Sequence, residues 1–225
     1  MLSSDIYQLP SLQLYKFIFS AVLSAMFWNI FTWFMGIPSS SSHALIGGII
    51  GAAVVSNGLL SVKWVNVLDM VLIPLLFAPM LGFVVGFIIV KINILLLRNR
   101  KPSVNIFLKK IQVITMAFLA ASHGSNDAQK SMGLIVLVLW AESHIQPKGV
   151  PIWVILSCAL AISVGLSFGG WRIIKTVSRQ VSKMQPLHSF NSQIASGLII
   201  YISSIVGFPV STTQTVGSSI MGTGA

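Results

Sequence analysis

The sequence has little charge. Asp, Glu, Lys and Arg make up only 8% of its 225 residues, and four of these residues are acidic. A soluble domain usually carries about 25% charged residues, so this chain cannot build an ordinary water-facing surface. It has a single cysteine, Cys158, inside an apolar segment, and this excludes an internal disulfide.

Hydrophobic residues make up 55% of the chain and are gathered into long runs. A helix needs about 20 such residues to span a bilayer. The stretches 14–35, 67–90 and 150–169 are long enough, whereas 44–55 is too short to cross comfortably. The stretch 111–141 is long enough only if its polar middle is included. The pattern predicts an all-α, polytopic membrane protein.

The net charge of +10 sits mostly in short segments between the apolar runs. Such a distribution is typical of cytoplasmic loops of membrane proteins, so we expect no nucleic-acid partner. The segment 91–110 is predicted to be a basic cytoplasmic loop, and a second basic cluster follows the 150–169 stretch. We expect a multi-pass protein of a bacterial inner (plasma) membrane, with the lipid bilayer as its surroundings.

Two segments of the chain repeat one another. "GIPSSSSHALIGGIIG" (36–51) aligns without gaps with "GFPVSTTQTVGSSIMG" (207–222), at an offset of 171 residues. In each copy Gly and Pro end one apolar helix, and hydroxyl residues can cap the next. We therefore predict hairpin tips at 36–43 and 207–214. On one face of the helix that follows each tip the side chains are small, which permits close packing against another helix. The aligned small pairs are Ala44/Thr215, Gly48/Ser219 and Gly51/Gly222.

The positions of the basic segments indicate that the two hairpins enter the membrane from opposite sides. This predicts an inverted-topology repeat with two re-entrant-type hairpins. Transporters of that design bind their substrate near the bilayer midplane, at broken helices whose N-termini favour anions.

The segment "ASHGSNDAQKSMG" (121–133) interrupts the apolar run 111–141. Polar residues at membrane depth are tolerated where they are buried or line a cavity, so we predict a broken helix along a substrate path. Asp127 is a functional candidate on that ground. A structural ion pair with Lys130, one turn later, is the alternative. His123 is equally compatible with the site and with a satisfied polar filler.

The motifs resemble those of the PiT inorganic phosphate transporter family. "SHGSNDAQKSMG" is similar to the family's second-repeat signature, and the two Pro–Ser/Thr tips are similar to its paired motifs. The resemblance implies a secondary active symporter that imports inorganic phosphate, coupled to H⁺ or Na⁺, with no other cofactor. It also implies one central site, whose candidate residues are Asn126, Asp127, Ser40, Ser41, Ser42, Ser211, Thr212 and Thr213, with Lys130 and His123 beside them. Asp127 and Asn126 are candidates for the coupling cation.

The chain departs from the family pattern because it has one Asn-Asp motif, where the family has two. At the offset of 171, the partner of Asp127 would fall at position −44, before Met1. The chain therefore resembles the middle of a longer protein. We expect 1–90 to be the later part of a first repeat, 91–110 the connecting loop, and 111–225 a truncated second repeat.

Other readings remain open. A transporter of the same design could carry another anion, such as sulfate or a carboxylate. A truncated relative would not transport at all. An enzyme is not expected, because His123 and Asp127 lack a complete nucleophile–base–orienter set. The coupling ion, the choice between free phosphate and a metal–phosphate complex, and a homo-oligomeric state are all compatible with the sequence.

Overall fold

The chain is helical throughout the residues that the structure describes. The structure is a computed structural model, and it describes residues 10–98, 104–143, 149–180 and 185–225, in which no strand occurs. The helices are α1 (Ser11–Met35), α2 (Ser41–Asn57), α3 (Trp64–Val67), α4 (Ile73–Leu97), α5 (Val104–Ser143), α6 (Ile152–Gln180), α7 (Pro186–Val206) and α8 (Thr212–Gly224). A π-helical turn, Leu68–Leu72, joins α3 to α4. The all-α prediction is confirmed.

Four helical stretches in the described part are long and apolar enough to cross a membrane. They are Leu12–Met35, Trp64–Leu97, Asn105–Trp140 and Pro186–Val206. The prediction of a polytopic membrane protein is therefore confirmed. In the stretch predicted at 150–169, the described residues form a further apolar helix, Ile152–Phe168, which is the first part of α6.

Helices α1 and α2 form an antiparallel hairpin in a first compact unit, Met1–Val71 with Asp127–Val177. Its core joins residues from both arms of the hairpin and from the segment that follows: Leu14, Phe17, Ile18, Ala53, Val62 and Val67. Leu137 and Val138 of α5 pack against this core. A second cluster, formed by Ala128, Val154 and Cys158, joins α5 to α6.

Gly48 allows the two arms of this hairpin to approach closely. A Cβ atom at Gly48 would lie 2.4 Å from the backbone oxygen of Ala21 in α1. The small helix face predicted from the repeat is thus confirmed here. Gly51, one turn later, has nothing within 4 Å of its Cβ position, so it does not serve the same purpose in this unit.

We expect Gly48→Ala to destabilise the protein and Gly51→Ala not to. The new methyl group at position 48 must displace the α1 backbone, and such overpacking costs about 1–3 kcal/mol. At position 51 alanine adds helix propensity without a clash, a gain of up to about 1 kcal/mol. Thermal unfolding of the two variants in one detergent compares them directly. Equal melting temperatures would contradict the close approach.

The second compact unit, Leu72–Asn126 with Ser178–Ala225, contains α4, α7 and α8 in mutual contact. Glycines again set the closest approaches. A Cβ atom at Gly222 of α8 would lie 2.1 Å from the backbone oxygen of Phe83, and one at Gly86 of α4 would lie 2.6 Å from the backbone oxygen of Ser219. Asn93 of α4 also donates a 2.5 Å hydrogen bond to the Asn191 side chain of α7. Close backbones and an amide contact therefore hold α4, α7 and α8 together.

Helix α5 corrects the prediction of a broken helix at 111–141. It runs without interruption through all 40 residues of Val104–Ser143. The polar segment contains no proline, and neither Gly124 nor Gly133 has a positive φ angle. A single glycine costs a helix only about 1 kcal/mol. The helical segments on both sides of the glycines are long enough to offset that cost. Polar residues alone therefore do not interrupt this helix.

The loop predicted at 91–110 is also mostly helical. Helix α4 continues to Leu97 and α5 begins at Val104, because apolar residues persist between the basic ones. Residues 99–103 lie outside the described residues. The compact units combine helices from both predicted repeats, and the division into 1–90 and 111–225 stays a prediction.

Candidate functional site

The two predicted hairpin tips have the same capping hydrogen bonds. At the first tip the Ser40 side chain is the N-cap of α2 and accepts from the His43 backbone N–H at 3.3 Å. At the second tip the Ser211 side chain caps α8 and accepts from the Gln214 backbone N–H at 3.4 Å. These four residues are equivalent at the offset of 171, so local cap chemistry produces the same helix start twice.

The helix ends before the tips match as well. Gly36 and Gly207 end α1 and α7 in the left-handed conformation, with φ angles of 72° and 80°. The next residue in each copy donates a 2.9 Å bond back to the helix, from Ile37 to Thr32 in one and from Phe208 to Ser203 in the other. The predicted repeat is therefore present in the backbone. Entry of the tips from opposite sides of a membrane stays a prediction.

Lys130 joins the polar segment of α5 to the first tip. Its Nζ atom donates to the Asp127 carboxylate at 2.7 Å and to the Ser42 hydroxyl at 2.5 Å. The Lys130 and Asp127 side chains are only 16% and 21% exposed, and Ser42 is buried. We call these three residues the Lys130 cluster. The predicted pairing of Asp127 with Lys130 is present, and it extends to a residue 88 positions away.

Asn126 belongs to the second unit and is buried, at 3% exposure. Its Nδ2 atom has no hydrogen-bond partner among the described residues. Leaving a buried donor unpaired costs about 1–3 kcal/mol, so such a group calls for an explanation. A bound ligand that accepts a hydrogen bond is one explanation, and it fits the predicted role of Asn126.

The remaining candidates fall into two environments. Ser211 and Thr212 of the second tip are buried, whereas Thr213 is exposed. Ser41 of the first tip is also exposed, and His123 is half-buried in the second unit. The structure thus brings Ser42, Asp127 and Lys130 together by direct contact. The binding roles of all ten candidates stay predictions.

The sequence analysis missed one polar contact at the first tip. The Ser39 and Thr32 hydroxyls share a 2.7 Å hydrogen bond that joins the tip to α1. Ser39 lies within the "SSSS" run, but its aligned partner is Val210. The repeat therefore gave no reason to select Ser39. The seven-residue separation from Thr32 indicates a hydrogen bond only when the conformation of the intervening turn is known.

The helical spans, the paired tips and the Lys130 cluster define a class: polytopic helical membrane proteins built around internally repeated hairpins. The phosphate transporter family matches residues 2–105 and 96–225, and the chain belongs to this family. The predicted resemblance is confirmed. Family membership, the apolar helices and the bacterial relatives described next confirm the predicted localisation, a multi-pass integral protein of the plasma membrane.

Curated relatives extend the comparison. The chain is 39% identical to a "Probable low-affinity inorganic phosphate transporter" of Bacillus subtilis (strain 168), over 92% of this chain and 63% of that protein. It is 36% identical to a protein of the same name from Rhizobium meliloti (strain 1021), over 96% and 65% respectively. The chain thus spans less than two thirds of the length of these relatives.

A solved structure supports the fold. The chain is similar to "The sodium-dependent phosphate transporter" with a TM-score of 0.86, over 99% of this chain and 72% of that one. Sequence identity is 22%, so this likeness supports the fold alone.

Proposed function

We propose that the protein is a symporter that imports inorganic phosphate together with H⁺ or Na⁺. Asn126, Asp127 and the hydroxyl residues of both tips are the proposed substrate ligands. Membership of the phosphate transporter family supports this proposal, as do the names of the curated relatives. The name of the structural neighbour includes sodium, which is one of the two candidate ions.

The observation that carries the proposal is the buried amide N–H of Asn126, which has no hydrogen-bond partner in the described part of the chain and precedes Asp127 in the sequence. Together the two residues offer a donor and an acceptor within one helical turn. Phosphate near neutral pH needs both, because it presents several acceptor oxygens and at least one O–H group. Phosphate therefore matches the chemistry of both residues, a donor at Asn126 and an acceptor at Asp127.

Asp127 gives the proposed site its selectivity. Its carboxylate can accept a hydrogen bond from a phosphate O–H, whereas sulfate has no proton near neutral pH and meets only repulsion. Discrimination of this kind relies on an unfavourable contact with the wrong ligand. A carboxylate can accept about four hydrogen bonds, so pairing with Lys130 does not prevent contact with phosphate.

The tips supply donors of a second kind. Hydroxyl groups of Ser40–Ser42 and Ser211–Thr213 can donate to phosphate oxygens, and the first turns of α2 and α8 present backbone N–H groups. The helix macrodipole favours an anion at these ends. A cation that enters with phosphate would lower the net negative charge moved across the membrane, and the electrochemical gradient of that cation would drive the uptake.

Uptake of radiolabelled phosphate tests the proposal in bacterial cells that lack their own phosphate transporters. We expect saturable uptake that arsenate inhibits and sulfate does not, because arsenate keeps the O–H group. Cells that express no transporter are the control. Strong inhibition by sulfate would favour a transporter of another anion, and uptake equal to the control would favour a non-transporting relative.

A further inference from the structure

The Lys130 ammonium lies between oxygen atoms of two different helices. One contact, to Asp127, is within α5, and the other reaches Ser42 in the first turn of α2. All three residues belong to one compact unit. The cluster thus consists of a carboxylate oxygen and a hydroxyl oxygen around a single positive charge.

Carboxylate and hydroxyl oxygens are also the ligands that hard metal cations prefer. An ammonium group and a Na⁺ ion carry the same charge and are attracted to the same oxygens. The difference is that the ammonium is covalently attached to α5, so it neither enters nor leaves with substrate.

We propose that Lys130 is a built-in cation that takes the place of a bound monovalent metal ion between Asp127 and Ser42. The inference rests on the proposed symport function and narrows it. A coupling ion would bind elsewhere, or protons would provide the coupling. Removal of the ammonium while Asp127 is kept should create a Na⁺ site.

An ordinary surface ion pair does not explain this arrangement. An exposed pair three residues apart in a helix contributes only about 0.2–0.5 kcal/mol and needs no third partner. Here the ammonium contacts a buried serine, and it does so at the N-terminal end of α2. That end of a helix carries partial positive charge and disfavours a cation. Lys130 is therefore held there by Asp127 against the helix dipole.

The test measures Na⁺ binding separately from transport. Lys130→Met removes the charge and keeps much of the side-chain volume, Lys130→Arg keeps the charge, and Lys110→Met is a matched control at an exposed position of the same helix. Each full-length variant is purified in detergent. Its melting temperature is then compared in saturating NaCl and in choline chloride of equal ionic strength.

We expect Na⁺ to raise the melting temperature of Lys130→Met by about 2 °C or more beyond its effect on the wild type, because a ligand that binds the folded state stabilises it. Lys130→Arg and Lys110→Met should respond to Na⁺ as the wild type does. Adding Asp127→Asn to Lys130→Met should abolish the additional rise. If Lys130→Met transports, its uptake should become Na⁺-dependent by about fivefold or more, the usual range of coupling between two ligands.

A folded Lys130→Met protein whose Na⁺ response does not exceed that of the wild type would overturn the inference. If that variant does not fold, the wild type is compared with Ser42→Ala. A Na⁺ response in the wild type that Ser42→Ala abolishes would show that Na⁺ already binds at the cluster and would overturn the inference. No response, or a response that Ser42→Ala leaves unchanged, supports the built-in cation. If the wild type carries no phosphate, the proposed function fails while the melting data still decide the role of Lys130.

Discussion

Replacement of Asp127 with asparagine is expected to reduce phosphate uptake by about 30-fold, since loss of one partner of this partly buried charge pair should cost about 2 kcal/mol, the lower end of the range for buried pairs. The amide cannot accept the phosphate proton as strongly, and it leaves the Lys130 ammonium without its counter-charge. Initial rates of radiolabelled phosphate uptake, normalised to the amount of protein in the membrane, measure the effect.

Asp69→Asn is the matched control for this change. Asp69 is the exposed acidic residue of the π-helical turn and has no part in the proposed site. The same chemical substitution there should leave uptake within about twofold of the wild type, since surface substitutions rarely change stability by more than 0.5 kcal/mol.

Competition by sulfate makes the Asp127 test more specific. Residual uptake by Asp127→Asn should be inhibited by sulfate, because the repulsive carboxylate is gone. Uptake by Asp127→Asn at the wild-type rate, with phosphate still preferred over sulfate, would refute the proposed role of Asp127.

The second large effect is expected at Gly222. Alanine at this position would place its methyl group 2.1 Å from the Phe83 carbonyl oxygen and within 2.9 Å of two further backbone atoms of Phe83. No side-chain movement can relieve a clash with backbone. We expect a loss of about 3 kcal/mol, the upper end of ordinary overpacking, and poor recovery of folded protein.

Gly217→Ala provides the comparison on the same helix. No atom of the described residues lies within 4 Å of the Cβ position of Gly217, so alanine there should be neutral or slightly stabilising. Size-exclusion chromatography and thermal unfolding in one detergent would compare the two variants. If Gly222→Ala is recovered and melts like Gly217→Ala, the close packing of α8 on α4 is wrong.

Both hairpin tips could be predicted from the sequence because their chemistry is local. A glycine that ends one helix and a serine that caps the next act within about five residues. The same local pattern occurs at Gly36 and Ser40 and again at Gly207 and Ser211, so each copy strengthened the interpretation of the other.

Features that depend on distant residues could not be predicted. Polarity in 121–133 indicated a functional segment, but it could not show whether the backbone breaks, since that depends on whether tertiary packing accommodates polar side chains on an intact helix. The contact from Lys130 to Ser42 joins residues 88 positions apart, and no periodic pattern connects them. The predicted ion pair was therefore visible from spacing, whereas its third member was not.

The unbroken helix α5 is longer than the hydrocarbon layer of a membrane is thick. Forty helical residues extend about 60 Å, whereas the hydrocarbon layer is about 30 Å thick. Even at a tilt of about 40°, the upper end of the usual range, roughly a third of the helix must lie among the lipid headgroups or in water. Lipids with longer chains would draw the exposed Lys109 and Lys110 toward hydrocarbon, and those side chains would have to extend back to the headgroups. The acyl-chain length of the surrounding lipid therefore determines how much of α5 the hydrocarbon layer covers.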